Sequence, residues 1–469
     1  MTELCDRSAS ELAAMIRSRE VSSREVVDAH LARIDAVNPT YNAITVVLAE
    51  RARAAADAAD RSEATGSLHG VPITVKENID VLDTPTTSGL AVLADALPTA
   101  NAPVVERMLA AGAIPIGRTN LPELGLRIDT SNRLRGRTGN AWNPELTPGG
   151  SSGGEGSALG SRMSPLGLGN DIGGSLRAPA FCNGVVGMRP TMHRVPDAST
   201  VQPVDGALCG QMMATNGPMA RTVADVRLAL SVLNGSDPRD PLSVDVALER
   251  PPLPRRVAGI VTTGFDGPLA PAVDAGVRLA ADALAQAGWE LEEIELPEFR
   301  HVFEVWNRIM SADVSVMLET VAPMIDPRLV AALEGHIAYP YVTDLPRMAA
   351  YSERRRLMRV WSAMFAKTPV VVTPVWPEPP FPGDDDLNRG VDFIVHMLQF
   401  ATPAPLLGLP ALALPSGVID GLPTGVQIHA DRWNDAYCLD AGDAIEAVVG
   451  PLRPPAGRAT SPSTLLADL

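Results

Sequence analysis

Two amphipathic runs open the chain. Ser8-x-x-Glu11 precedes Leu12, Met15 and Ile16, and Ser22-x-x-Glu25 precedes Val26, Val27, Leu31 and Ile34. A serine followed three residues later by glutamate is a capping box, so each pattern predicts a helix with one apolar face. A third helical run is predicted from roughly Val46 to Arg61. Leu68 to Lys76 reads as a buried strand that ends on a lysine. An amphipathic helix follows at Val104 to Gly112, then a strand at Ile114 to Gly117. Ser164 to Gly169 reads as another buried strand entering a turn. Ser236 to Arg256 is rich in Pro, Asp and Arg and reads as a surface connection. His301 to Asp386 is helical and aromatic-rich, becoming loop-like through Trp376 to Pro382. The tail after Pro451 is rich in Pro, Ser and Thr and is expected on the surface.

Composition narrows the function class. Apolar residues make up 46% of the 469 residues, enough for a large core, and the net charge is −16. An acidic surface disfavours nucleic acid and anionic membrane as partners. No apolar run reaches the ~18 residues of a membrane span, and the first residues lack the basic and apolar regions of a signal peptide. Cys5, Cys182, Cys209 and Cys438 are scattered without C-x-x-C spacing. They read as reduced thiols of a cytoplasmic protein, with no disulfide framework and no zinc site. No cofactor motif is found; a phosphate cradle of the form G-x-x-x-x-G-K-[ST] is missing.

The candidate chemistry lies between Gly149 and Pro190, where two glycine-framed serine clusters occur. These are Gly149-Gly150-Ser151-Ser152-Gly153-Gly154 and Gly173-Gly174-Ser175. Glycines let the backbone approach a ligand closely and leave N–H groups free beside an exposed serine. A nucleophile beside an oxyanion hole is the arrangement that acyl transfer requires. A flexible linker would lack the apolar segment Ser164 to Gly169 between the clusters. Gly149-x-Ser151-x-Gly153 and Gly150-x-Ser152-x-Gly154 also match the G-x-S-x-G elbow of α/β-hydrolases. That reading would need a distant His and Asp, and no HGGG-type oxyanion loop accompanies it.

The whole stretch resembles the signature of the amidase signature family. Its second part here is Gly173-Gly174-Ser175-Leu176-Arg177-Ala178-Pro179-Ala180. Further matches are Gly70-Val71-Pro72-Ile73-Thr74-Val75-Lys76-Glu77-Asn78, Thr119 to Leu124, Gly217 to Asp225, Gly408 to Leu412 and Gly421 to Ile428. The resemblance runs from about Ser8 to Gly450. It implies an α/β fold, a single large domain whose central mixed β-sheet is covered by helices on both faces. Within it we expect N-terminal helical cover at 1–65, the signature core at 66–235 and variable helices and loops at 236–400. Closing strands and a helix follow at 401–450, and a surface tail at 451–469.

The resemblance also implies the chemistry. Ser175 is the expected nucleophile and Lys76 the base, with Ser151 between them on a cis peptide bond. Lys76 must then be neutral, which burial has to achieve against a free pKa of about 10.4. Backbone N–H groups of Ile172, Gly173, Gly174 and Ser175 are expected to form the oxyanion hole, and no metal is needed. Ser152, Asp171 and Arg177 are expected in support, the last two as an ion pair or through backbone contacts. Asn170 and Met188-Arg189-Pro190 depart from the commonest family pattern. Glu155 resembles the branch containing fatty acid amide hydrolases.

The expected activity is hydrolysis of a carboxylic amide carrying an apolar or aryl group, through an acyl-enzyme. Ester or carbamate hydrolysis by the same site is the near alternative. The glutamine-hydrolysing component of an amidotransferase is a further one. The acidic charge and the apolar run His301–Met317 weigh against it. A binding protein without catalysis is disfavoured because Lys76, Ser151 and Ser175 occur together. Phe303, Trp306, Met310, Tyr339 and Tyr341 are candidates for an apolar pocket. A homodimer fits families of this type.

Overall fold

Pro72–Lys76 (β2 in chain order) is buried at every position. Side chains alternate between the two faces of a strand, so continuous burial means that both faces are covered. The same holds for Ile114–Thr119 (β3), Val186–Arg189 (β7), Thr215–Ala220 (β8) and Val370–Pro374 (β11). The computed structural model describes residues 2–201, 205–339 and 346–455; Tyr341 and the tail beyond residue 455 lie outside them.

These strands belong to one mixed sheet of 11. The others are Ile44–Val47 (β1), Leu166–Asp171 (β6), Val257–Ile260 (β9), Glu290–Glu293 (β10), Ala411–Ile419 (β12) and Leu422–Ala430 (β13). Ser131–Asn132 (β4) and Gly136–Arg137 (β5) form a separate small ribbon. The order across the sheet is β1-β3-β2-β6-β8-β7-β12-β13-β11-β9-β10. Pairing is parallel in β3-β2-β6 and β11-β9-β10, and antiparallel through the centre. The chain is a single α/β domain built on this sheet. No helix among the described residues is long and apolar enough to cross a membrane.

Both capping boxes form. Ser8 and Ser22 accept from the N–H of Glu11 and Glu25, whose carboxylates return the bond, and open helices Ala9–Arg17 and Ser23–Tyr41. The helical run expected from Val46 begins only at Ala49 and ends at Asp60. Ile44-Thr45-Val46-Val47 is instead strand β1, antiparallel to β3. Its β-branched residues favour the pleated pairing over a helix start. Within 301–386 the structure has helices Phe299–Val321, Pro327–Ile337 and Arg347–Phe365, and then strand β11. That strand pairs with both β13 and β9 and is core, where the helical run was expected to continue, while Trp376 to Phe381 is irregular as expected.

Helix Asp435–Val449 lies against β12, and at Gly442 the approach is close. A Cβ there would meet Leu412 Cδ2 at 2.4 Å. Leu412 is fully buried, so Leu412→Ala leaves a cavity. We expect it to cost roughly 2–5 kcal/mol of stability. Leu291→Ala on the exposed edge strand β10 should cost less than about 0.5 kcal/mol. Parallel denaturant titrations of the two variants check this.

Candidate active site

β2 and β6 run parallel, with Thr74 opposite Gly167 and Val75 opposite Leu168. Their carboxyl ends therefore reach the same sheet edge, which puts Lys76 beside Asn170. Lys76 Nζ donates to Asn170 Oδ1 at 2.7 Å and to Ser151 Oγ at 2.7 Å. Asn170 Nδ2 in turn donates to Asn78 Oδ1 at 3.1 Å. Burial pushes the Lys76 ammonium down to about 7, against the opposing pull of Asp171 and Glu155. Glu155 is also wholly buried, and its oxygens accept from Thr74 at 2.7 Å and Thr119 at 2.8 Å. Burial raises this carboxyl to about 7.

The two serine clusters are tied to each other. Ser152 N–H donates to the Ser175 carbonyl at 3.1 Å, and Ser152 Oγ to the Asn170 carbonyl at 3.3 Å. The Gly150–Ser151 peptide is cis. Ser151 and Ser175 line one cavity of roughly 700 Å³. No hydrogen bond joins their hydroxyls among the described residues. Catalytic hydrogen bonds are often long before substrate is bound.

Asp171 holds the loop that carries Ser175. Its carboxylate accepts from the N–H of Gly174 at 2.9 Å and of Leu176 at 3.1 Å. Arg177 adds Nη2 at 2.9 Å and Nε at 3.0 Å. Arg189 lies 3.6 Å from the same carboxylate and donates to the Asp171 carbonyl. Burial alone would raise the Asp171 carboxyl, but the two guanidiniums and the Gly174 N–H outweigh it and hold it at about 2. Gly174 has φ +108°, a conformation that side-chain-bearing residues rarely adopt. Its N–H is taken by Asp171, which differs from the expected oxyanion hole. The N–H groups of Ile172, Gly173 and Ser175 are not engaged among the described residues, and these three residues line the cavity next described.

That cavity extends from Ser175 between helices Phe299–Val321 and Pro327–Ile337. Ser175, Ile172 and Gly173 close one end, and Trp306, Met310, Val314, Leu329, Leu333 and Ile337 furnish an apolar wall. Trp306 Nε1 donates to the Ile172 carbonyl at 3.1 Å, fixing the indole against the loop that carries Ser175. Trp306 and Met310, two of the pocket candidates, lie on that wall. Phe303 and Tyr339 are not on that wall. Phe303 packs against Phe265 at 5.5 Å, and Tyr339 Oη donates to Asp392 at 2.5 Å.

Sequence reasoning passed over Asn78 and assigned Asn170 and Glu155 no contact. The available signals were their places two residues after Lys76, just before Asp171, and in the first turn after Ser152. None of the seven histidines hydrogen-bonds to Ser151 or Ser175 among the described residues. Two carboxylate-containing groups are close enough to hold a cation, Glu298/His301/Glu353 and Asp129/Asp384/Asp386. Each already surrounds a guanidinium, Arg356 in the first and Arg127 in the second.

The Amidase family model matches residues 25–439. An indoleacetamide hydrolase of Bradyrhizobium diazoefficiens is 40% identical over 456 residues, covering 95% of this chain and 87% of that protein. A component of the glutamyl-tRNA(Gln) amidotransferase of Chloroflexus aggregans is 32% identical, covering 96% of this chain and 97% of that one. Among solved structures, a bacterial aryl acylamidase of the amidase signature family superposes with a TM-score of 0.81 at 26% identity, covering 95% of this chain and 96% of that one. The family match takes in Lys76, both serine clusters and the helices around the apolar cavity, and the chain belongs to the amidase signature family of enzymes that hydrolyse amide C–N bonds.

Proposed function

We propose that the chain hydrolyses an amide whose acyl part is an aryl group carried on a short spacer, such as an arylacetamide. The observation that carries this reading is the apolar cavity opening from Ser175, walled by Trp306 and the aliphatic side chains of two helices. The indoleacetamide hydrolase relatives support it.

In this reading neutral Lys76 takes the Ser151 proton as Ser151 takes that of Ser175. The Ser175 oxygen bonds to the carbonyl carbon, and the carbonyl electron pair moves onto its oxygen. N–H groups of Ile172, Gly173 and Ser175 hold that oxyanion, while Asp171 keeps the Gly174 N–H. Collapse breaks the C–N bond, and the leaving amine receives the proton back through Ser151. Water repeats the sequence on the acyl ester, freeing the acid and Ser175. Removal of one oxyanion donor costs about 3–4 kcal/mol in systems of this kind.

The same site acting on an ester or carbamate differs only in the leaving group. Glutamine hydrolysis fits less well, because the charged groups on the cavity wall, Arg127 and Asp386, are paired with each other at 2.7 Å. A free amino acid would need unpaired charges there. The four cysteines are buried and unpaired, which fits a reducing compartment, and we assign the chain to the cytoplasm.

Competing amides decide the substrate class. Indole-3-acetamide and phenylacetamide should exceed glutamine and acetamide in kcat/KM; glutamine as the best substrate would overturn the reading. A carbamate such as ethyl phenylcarbamate belongs in the same panel.

The pH profile tests the base. Lys76 works as the neutral amine, and its pKa is pushed down to about 7. Activity should therefore rise through about pH 7 and level off above it. Lys76→Ala should remove that limb and lower kcat/KM by at least about a hundredfold.

Glu155 raises the Lys76 pKa through its charge. Glu155→Gln should remove that stabilisation of the ammonium and move the rising limb to lower pH. A limb that stays in place, in a variant that melts like the parent, would separate Glu155 from the base.

A further inference from the structure

The polar side chains on the apolar cavity are few, and almost all are committed elsewhere. Trp306 Nε1 donates to the Ile172 carbonyl. Ser311 Oγ donates to Asn307 Oδ1 at 3.2 Å. Arg127 is bound by Asp384 and Asp386. Ser175 is the proposed nucleophile. Among the described residues His336 alone remains, in the last turn of helix Pro327–Ile337. Its ring nitrogens make no hydrogen bond among the described residues.

The position of His336 is defined by Trp306. The two rings meet edge to face, with centroids 6.5 Å apart and planes at 81°. Trp306 also adjoins the loop that carries Ser175, where a Cβ on Gly173 would meet Trp306 Cζ2 at 3.1 Å. Gly173 and His336 thus both adjoin Trp306, and all three line the cavity that opens at Ser175. An acyl group bound through its carbonyl at Ser175 would occupy this cavity, with Trp306 and His336 on its wall.

We propose that His336 determines specificity, accepting a hydrogen bond from a ring N–H of the aryl group, so that nitrogen-containing bicyclic arylacetamides are preferred over carbocyclic or sulfur isosteres. This deepens the arylacetamide reading and rests on it. Burial pushes the His336 imidazole down to about 4, with no charged group opposing. At neutral pH it carries one N–H and one lone pair, and the lone pair complements an indole-type donor. A wall that is otherwise apolar gains little selectivity between rings of equal shape. A buried hydrogen-bonding group supplies it, because an analogue that cannot pair leaves that group unsatisfied.

The test compares indole-3-acetamide with 1-benzothiophene-3-acetamide, which has the same shape and no N–H. The parent enzyme should prefer the indole by about tenfold in kcat/KM, mostly through KM, as expected for one net hydrogen bond. His336→Leu should bring that ratio close to one. His336→Gln, which retains an acceptor, should restore part of it. Thermal melting establishes that each variant is folded, and if His336→Leu does not fold, the Gln variant and the parent ratio still decide. A parent ratio near one, or a ratio unchanged in a folded His336→Leu variant, overturns the role of His336 while leaving arylacetamide hydrolysis intact. Failure of the parent to hydrolyse either compound, with glutamine or a simple aliphatic amide accepted, overturns the arylacetamide reading and this proposal with it.

Discussion

The buried carboxylate of Asp171 is the fixed point of the site. It has no exposure to water, and an isolated charge there would be strongly disfavoured. Arg177 and Arg189 compensate it, and two backbone N–H groups complete its coordination. The loop between β6 and helix Arg177–Asn183 therefore has few ways to fold. The Gly174 N–H serves Asp171, while the N–H groups of Ile172, Gly173 and Ser175, residues that line the cavity, have no partner among the described residues. Arg177 further joins Gln427 on β13 at 2.6 Å and the Ala401 carbonyl at 2.8 Å, linking the loop to the far half of the sheet.

A second constraint acts on Lys76. A lysine at the end of a strand would normally reach solvent, yet this one is wholly buried. Its hydrogen bonds go to neutral oxygens, those of Ser151 and Asn170. Glu155 and Asp171 act on it through space only. Glu155 is held by two threonine hydroxyls, and Asp171 is spent on arginines. This separation keeps the amine close to half-protonated near neutral pH, where a direct ion pair would have kept it charged. The same physics makes Asn170 informative, because a neutral amide accepts the Lys76 hydrogen bond without fixing its proton.

In the proposed mechanism, the acyl-transfer groups and the substrate wall come from different parts of the chain. The first group comes from β2, β6 and the loops beside them, held by backbone hydrogen bonds. The wall comes from helices Phe299–Val321 and Pro327–Ile337, whose apolar side chains set shape without dictating reaction type. Trp306 is the joint between them, through its bond to Ile172 across 134 residues of sequence. A helix shift at this joint would alter both the apolar cavity and the loop that carries Ser175.

Much of this was legible in the residues. Capping boxes, buried strands and glycine-framed serines are local patterns, set by neighbours three or four positions away. Through the family resemblance that the motifs carry, they pointed to the fold class, amide hydrolysis and the candidates Lys76, Ser151 and Ser175. What failed was also local. Ile44–Val47 became a strand because β3 was there to pair with it, and Val370–Pro374 because β13 and β9 were. The use of Gly174 by Asp171 could not be read from a run of glycines, since each offers an N–H and only the folded loop decides which is consumed. The pocket was least legible. Phe303 and Trp306 lie three residues apart on one helix with similar apolar character, yet one packs in the core and the other faces the cavity. That outcome depends on where the helix rests against Ile172 and His336, contacts between distant segments that hydrophobic burial favours but no single stretch of sequence encodes.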